Sequence, residues 1–267
     1  MKFIKYIILA IIQGFTEPIP ISSSGHLVIF KRILNSGVLN DLNFEIIVNF
    51  GSLIAIVVYF WKDIINLIKD FFLYIKTRNK KYYDNFKYCL LIIIGTIPAG
   101  IIGLLFKDYI EELLSGVKIV GIALLITALF LFLIRNIKGQ KSDKEISYLD
   151  ALIIGLFQSV ALLPGISRSG ATIVGGMLRN LKRDVAFKFS FILYIPISSA
   201  TMLLGVKDLV DANISSTLAL TYFVAMIVSG IITYISTKWF NNIMKRGKLI
   251  YFVYYCLIVG LLVILFL

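Results

Sequence analysis

Apolar residues run almost unbroken along most of this 267-residue chain, and the polar residues gather between the runs. Six runs are long enough for a helix that crosses a bilayer, which takes about 20 residues. They lie at 44–61, 88–106, 117–134, 185–205, 218–237 and 249–267. Two more runs stop short. The run 3–15 ends at Glu17, Pro18 and Pro20, and the run 148–163 ends at Pro164 and Gly165. Each is followed by a turn of small residues and a second short apolar piece, at 27–30 and 171–178. Proline removes a backbone donor and breaks a helix. Two half-length helices around a broken turn describe a re-entrant hairpin rather than a span. The pattern therefore predicts an all-α polytopic membrane protein with six transmembrane helices plus two re-entrant helical hairpins.

Composition agrees. Hydrophobic residues make up 59% of the chain and charged residues 16%, with a mean hydropathy of +0.91. Soluble domains carry about 25% charge, so a soluble enzyme, a disordered chain and a disulfide scaffold are all excluded. The net charge is +12. In a soluble protein that excess would point to nucleic acid, but here its location points to topology and no nucleic-acid partner is expected. Nineteen of the 27 Lys and Arg residues fall in four segments, 62–87, 135–144, 179–188 and 238–248. Basic residues collect in cytoplasmic loops. With those four segments in the cytoplasm, every long run alternates correctly, provided that 148–178 leaves the cytoplasm and returns to it. A hairpin there preserves the alternation, and a full crossing would break it. The basic start and apolar run at the N-terminus resemble a signal peptide, but no small-residue cleavage site follows. Cys89 and Cys256 sit inside apolar runs without metal-ligand spacing and read as packing residues.

Two halves follow, approximately 1–138 and 146–267, each with one hairpin and three spans. Three is odd, so the second half is inverted relative to the first, within a single membrane domain. A faint echo in the sequence supports the repeat: Gln13 lies nine residues before Ser22, and Gln158 nine before Ser167. Inverted repeats with broken helices place a site where the two breaks meet, near mid-membrane.

The breaks carry the chemistry. In the first, Gln13 and Glu17 are four residues apart and share a helix face. Glu17 is the only carboxylate in about the first forty residues, and in lipid a carboxylate needs a cation, water or a hydrogen bond to the turn. Ser22, Ser23, Ser24 and Gly25 follow, then His26, the only histidine of the chain. Near neutral pH a histidine can move a proton or attack phosphorus. In the second break, Arg168 is the only basic residue between Lys144 and Arg179. It needs an anionic partner, either Glu17 in a structural ion pair or a phosphate gripped by the guanidinium fork. Ser167, Ser169, Gly170 and Thr172 open a half-helix whose free N–H groups favour an anion. Taken together, arginine and N–H groups can hold a phosphoryl group, histidine and serine can supply attack, and Glu17 can set protonation or bind a metal. The apolar shell suits a lipid tail on that phosphate.

The segments from Gln13 to His26 and from Pro164 to Thr172 resemble the two signature motifs of the undecaprenyl-diphosphate phosphatase family, also called bacitracin-resistance proteins. The first motif is Glu or Gln, three residues and Glu, leading into Pro-x-Ser-Ser-x-Gly-His. The second is Pro-Gly-x-Ser-Arg-Ser-x-x-Thr. Secondary echoes are Phe44-Glu45, Gly51-Ser52, Gly95-Thr96-Ile97-Pro98-Ala99 and Phe189-Ser190-Phe191 before Pro196, so the resemblance covers nearly the whole chain. It implies a bacterial cell-membrane hydrolase, opening toward the outer face, that converts undecaprenyl diphosphate into undecaprenyl phosphate and inorganic phosphate. That reaction recycles the carrier for peptidoglycan, and overproduction confers bacitracin resistance. It also implies a divalent cation, Mg²⁺ or Ca²⁺, with Glu17, Ser23, His26 and Arg168 as catalytic candidates. Gln13, Ser22, Ser24, Gly25, Ser167, Ser169, Gly170 and Thr172 are the candidates for substrate binding. Gln13 stands where a second Glu is common, so a metal would lean on Glu17 and on the diphosphate itself. Either Ser23 or His26 is the attacking residue, and Glu17 orients His26 or holds the metal.

Broken helices in inverted repeats are also a transporter signature, so a lipid-phosphate flippase is the alternative. A purely structural subunit would leave the buried charges without a purpose. The segment 62–87 reads as a solvated basic loop that could touch anionic lipid. The run 107–112 reads as an external loop. Trp61 and Trp239 read as interfacial anchors, and the aromatic C-terminal run with Tyr251, Tyr254 and Tyr255 as lipid-facing or as the contact of a homodimer.

Overall fold

The computed structural model describes residues 2–34, 41–113, 116–211 and 214–267, and among them it is helical with no named strand. The helices are α1 (Lys2–Thr16), α2 (Ser23–Ile33), α3 (Leu42–Tyr59), α4 (Trp61–Thr77), α5 (Tyr83–Leu113), α6 (Val117–Ile134), α7 (Tyr148–Val160), α8 (Arg168–Leu178), α9 (Arg183–Asp211), α10 (Ser216–Arg246) and α11 (Ile250–Phe266). Five of them, α3, α5, α6, α9 and α10, contain stretches long and apolar enough to cross a membrane. The sixth expected run forms α11, an apolar helix of 17 residues. Both predicted breaks are present: α1 ends at Thr16 and α2 starts at Ser23, and α7 ends at Val160 and α8 starts at Arg168.

Three elements differ from the sequence pattern. The segment 62–87 is not an open loop: most of it forms α4, a short 3₁₀ turn Lys80–Tyr82 and the first turns of α5. The charges that mark it as loop are spaced along one side of an amphipathic helix, as in surface helices generally. The run 107–112, expected as an external loop, belongs to the last turns of α5. Helix α10 runs past residue 237 to Arg246, where Gly247 ends it in the left-handed conformation at φ 69°, a common helix stop. The alternation puts the basic-poor segments 31–45, 107–118 and 207–211 outside, and of these residues 35–40 and 114–115 lie beyond the described ones.

Lipid tails are as apolar as leucine, so helices in a membrane are held by close packing and by buried polar contacts. The seam between α3 and α10 has both. Ser229 donates to the Val48 carbonyl at 2.9 Å, and Thr233 donates to Ser52 Oγ at 2.8 Å. Helix α10 also packs on α1, while α5 packs on α7, α6 on α11, and α9 on α3 and α8. Where α7 crosses α5, a Cβ on Gly155 would sit 2.5 Å from the Gly95 carbonyl oxygen, so only glycine permits that crossing. At the Lys-rich ends the buried rings of Phe60, Phe187, Phe191 and Phe240 form one cluster.

One polar clasp sets the direction of the second hairpin. Ser147 caps α7 in a capping box with Asp150. The fully buried Asp150 carboxylate also accepts from Lys141 Nζ at 2.8 Å and from Arg179 Nε at 2.7 Å. The start of α7 is thereby tied to the end of α8. The two half-helices of the second hairpin share an anchor at one end and an open break at the other.

Candidate active site

Both breaks build their second half-helix in the same way. Ser22 caps α2, its Oγ accepting from the Gly25 N–H at 3.2 Å, and Ser167 caps α8, its Oγ accepting from the Gly170 N–H at 3.1 Å. Such caps satisfy one of the free N–H groups at a helix start and leave the others available. Ser22 adopts φ 69°, a region that residues other than glycine seldom visit, which turns the chain sharply into α2. Gly165 at φ 90° makes the corresponding turn before α8. The breaks touch each other. A Cβ on Gly25 would lie 3.3 Å from Gly165 Cα, and one on Gly170 would lie 3.3 Å from Pro20 Cβ. Ser169 Oγ donates to the Ile19 carbonyl at 3.3 Å across the same contact. A Cβ at Gly25 would also sit 2.9 Å from Val120 Cγ1, and one at Gly170 3.1 Å from Ser167 Cβ, so both positions are tightly enclosed.

Ser23 and Arg168 are each the first residue of their half-helix, directly after the capping serine. Glu17 lies between them. One carboxylate oxygen accepts from Arg168 Nη2 at 2.6 Å; the other accepts from Ser23 Oγ and from Gln13 Nε2 at 2.9 Å. The Glu17 side chain is 4% exposed and that of Arg168 is 26% exposed, so the guanidinium faces the open side of the pair. Arg168 is fixed from two further directions: Nη1 donates to Ser198 Oγ at 2.8 Å, and the guanidinium lies 4.0 Å over the Tyr194 ring. Gln13 spends its remaining N–H on Asn49 Oδ1 at 2.7 Å, which leaves its buried carbonyl oxygen Oε1 without a hydrogen-bond partner.

His26 sits one turn along α2 from Ser23 and is buried. Its Nδ1 is 2.7 Å from the Ser22 carbonyl oxygen, and its Nε2 is 2.7 Å from the Tyr255 hydroxyl. A carbonyl only accepts, so in the neutral ring Nδ1 carries the proton and Nε2 accepts from Tyr255. The rings of His26 and Tyr255 stack with centroids 5.6 Å apart. The expectation that Glu17 orients His26 is not met: the partners of Glu17 are Arg168, Ser23 and Gln13, and those of His26 are Ser22 and Tyr255. Of the remaining candidates, Ser24 is exposed at the mouth of the first break with Oγ 3.4 Å from Ser22 Oγ. Ser169 Oγ lies 3.2 Å from Ser167 Oγ. Thr172 is buried and donates to the Arg168 carbonyl at 2.9 Å, its hydroxyl also meeting Ser190, so it braces the start of α8 from below.

Three contributors had not been singled out, and a fourth, Tyr255, had been given another role. Asn49, Tyr194, Ser198 and Tyr255 come from α3, α9 and α11, far in sequence from both breaks. Asn49 carried a usable signal, as the only amide side chain in the run 44–61. The reading of Tyr255 as merely lipid-facing or intersubunit is corrected by its bond to His26. Tyr251 and Tyr254 stay exposed.

Two helix starts meet here, with a guanidinium, a hydroxyl and a carboxylate in one hydrogen-bonded row inside an apolar helical bundle, a set of donors with the chemistry to hold an oxyanion. The comparisons with known proteins narrow this class. The family described as bacitracin resistance protein BacA matches residues 6–262, and the chain belongs to that family. Undecaprenyl-diphosphatase 1 of Bacillus cereus is 50% identical over 264 residues, spanning 99% of this chain and 97% of that protein. Undecaprenyl-diphosphatase 1 of Bacillus licheniformis is 48% identical over 267 residues, 100% of this chain and 98% of that protein. The undecaprenyl-diphosphatase of Oceanobacillus iheyensis is 45% identical over 267 residues, 99% and 96% of the two chains.

Proposed function

We propose that this chain is a membrane phosphatase that hydrolyses undecaprenyl diphosphate to undecaprenyl phosphate and inorganic phosphate, returning the lipid carrier to cell-wall synthesis. The observation that carries the reading is the Glu17 carboxylate shared between Ser23 and Arg168 at the starts of two half-helices. The relatives' names agree with it. The test is phosphate release by the purified full-length chain in detergent with undecaprenyl diphosphate. Detergent leaves no compartments to transport between, so steady turnover identifies a hydrolase. Intact protein that binds the lipid diphosphate without releasing phosphate would return the flippase reading.

The finer architecture belongs to the same proposal: α3, α5, α6, α9, α10 and α11 cross the bacterial cell membrane, while α1–α2 and α7–α8 enter and leave it as hairpins. Halves 1–138 and 146–267 are inverted copies, and the site opens to the outer face. The partner pattern supports this. Helix α1 packs on α10 and α7 packs on α5, as expected if equivalent elements exchange partners, while α3 meets α9 and α6 meets α11. Helix α4 has no counterpart.

In the proposed mechanism, the terminal phosphoryl group replaces part of the Arg168–Glu17 contact and is held by the guanidinium and the free N–H groups at the starts of α2 and α8. Ser23 is the nucleophile. Its proton passes to the Glu17 carboxylate, Oγ bonds to the terminal phosphorus, the bridging P–O bond breaks, and Glu17 hands that proton to the departing undecaprenyl phosphate. The restored Glu17 carboxylate then takes a proton from water, whose oxygen bonds to the phosphoserine phosphorus; the Ser23 Oγ–P bond breaks, inorganic phosphate leaves, and Glu17 returns the proton to Ser23 Oγ. His26 holds the first turn of α2 through Ser22 and stands one turn from the reacting hydroxyl. A divalent cation, Mg²⁺ or Ca²⁺, fits these donors only together with substrate oxygens. Glu17, the unpartnered Gln13 Oε1 and Ser23 Oγ are hard oxygen ligands, and among the described residues no three acidic, histidine or cysteine side chains cluster. Such sparse protein coordination beside a diphosphate suits Mg²⁺. When bound, the ion would neutralise diphosphate charge.

Tyr255 is a positioning residue in this scheme, acting through His26. Tyr255→Phe keeps the stacked ring and removes one hydrogen bond, which is worth about 1 kcal/mol. Turnover at saturating substrate is expected to fall roughly fivefold with KM unchanged. An unchanged kcat would detach Tyr255 from the reaction.

A further inference from the structure

Helix α4 presents a second surface that the phosphatase chemistry does not use. One side of it packs on the first turns of α5, where Phe71 stacks on Phe86 at 5.2 Å, Cys89 Sγ meets the Leu67 carbonyl at 3.7 Å and Asn85 donates to Asp70 at 2.6 Å. Leu67 is the only buried residue of α4. The other side carries Trp61, Ile65, Ile68, Phe72 and Ile75, which are between 43% and 64% exposed. Their spacing of three and four residues places them on one stripe of the helix. Lys62, Lys69 and Lys76, seven apart and all exposed, run along one flank of that stripe. The other flank is α5.

The stripe does not belong in the hydrocarbon. Lys62, Asp63, Lys69, Asp70 and Lys76 place charge in every second turn, five charges in one helix of 17 residues, and charged side chains at the bilayer centre are costly. At its start, Asp63 pairs with Lys188 at 2.8 Å, at the Lys-rich ends of the spans. Nor does it belong in water, where five large apolar side chains on one face form a patch of the kind that marks an interaction surface. An apolar stripe edged with lysine on a helix packed along the end of a span has the chemistry of an interfacial helix. The segment 61–88 carries seven Lys or Arg against three Asp, a net of +4 (7 − 3). That balance selects an anionic occupant and opposes a second copy of the chain, which would bring the same positive row.

We infer that α4 lies on the membrane surface, with Trp61, Ile65, Ile68, Phe72 and Ile75 seated among the lipids and Lys62, Lys69 and Lys76 on anionic headgroups. The α4–α5 hairpin is thus a lipid-charge-dependent anchor beside the helical bundle, independent of the Glu17–Arg168 site.

The test uses the full-length chain in vesicles of phosphatidylcholine with phosphatidylglycerol, and a membrane-impermeant maleimide. Phe72→Cys reports the stripe and Asn66→Cys reports the opposite, exposed side of the same helix. The unsubstituted chain corrects for Cys89 and Cys256, which are partly and fully buried. In phosphatidylglycerol vesicles Phe72→Cys should react about tenfold more slowly than Asn66→Cys. Omitting phosphatidylglycerol, or adding Lys62→Glu, Lys69→Glu and Lys76→Glu together, should bring the two rates to within about a factor of two or three. Equal rates in phosphatidylglycerol vesicles would overturn the inference. So would shielding that ignores both lipid charge and the three substitutions, and growth of that shielding with protein density would identify a second copy as the cover.

Discussion

Arg168→Lys is expected to lower phosphate release about a hundredfold or more while leaving the protein folded. Lysine keeps one positive charge beside Glu17, so the buried carboxylate is not left uncompensated. What lysine cannot keep is the fork. In the native chain one guanidinium spans Glu17 and Ser198 at 2.6 Å and 2.8 Å and lies flat over Tyr194. A point charge on a flexible stem makes one of these contacts at a time and presents no paired donors to a phosphoryl group. Arg168→Ala should do worse on both counts. It removes the donors and strands Glu17 in a nearly closed site, where breaking a buried pair costs about 3–5 kcal/mol. The measurement is phosphate release together with the thermal unfolding midpoint in detergent. Arg168→Lys with a native midpoint and near-native turnover would leave the guanidinium as a structural tie and remove it from the chemistry.

The parts of this site that could be read from sequence are those encoded locally. Proline and glycine punctuation reported both helix breaks, because a missing N–H and a positive φ are properties of single residues. Ser22 and Ser167 stood out as matching positions of the repeat, nine residues after Gln13 and Gln158, and their capping bonds reach only three residues ahead. Glu17 and Arg168 stood out because a charge inside an apolar run has few tolerable environments, and the pair reads equally as an ion pair or as a ligand site. The structure contains the ion pair. Tyr194 and Ser198 were silent and Tyr255 pointed only to lipid or a subunit contact, since each sits in an ordinary apolar span and acquires meaning only through packing between distant helices, while the lone amide of Asn49 was a signal left unread. Tyr255 is 229 residues from His26. Helix α4 was hidden for a different reason: a lysine every seventh residue looks like a loop in a composition count and like a helix face only when period is considered.

The two breaks also show how a repeat becomes a site. Ser23 and Arg168 follow equivalent capping serines, yet one is a hydroxyl and the other a guanidinium. Glu17 stands four residues after Gln13, and the matching position after Gln158 is Leu162. The shared scaffold supplies two facing helix starts, and the departures from symmetry supply chemistry: a base and a nucleophile from one half, a cation from the other. Replacing any of these residues should remove function, and the fold should be spared where the replacement leaves no buried charge unpaired.

Ser23→Ala is the sharper case of that rule. Its hydroxyl makes one described side-chain contact, to Glu17, and it is not part of the N-cap, which Ser22 provides. The fold should therefore survive, whereas the loss of an attacking atom should cut phosphate release about a thousandfold or more. His26→Ala should also slow turnover, since it frees the Ser22 carbonyl and the Tyr255 hydroxyl and loosens the first turn of α2, but it leaves the Glu17–Ser23 pair in place. Rapid acid quench during turnover separates the two residues. If Ser23 attacks, the native chain and His26→Ala both trap phosphoserine, and Ser23→Ala traps nothing. Acid destroys phosphohistidine, so a parallel alkaline quench looks for it directly. Phosphohistidine in the native chain and in Ser23→Ala would transfer the nucleophile to His26 and require the imidazole to leave Tyr255 before it reacts.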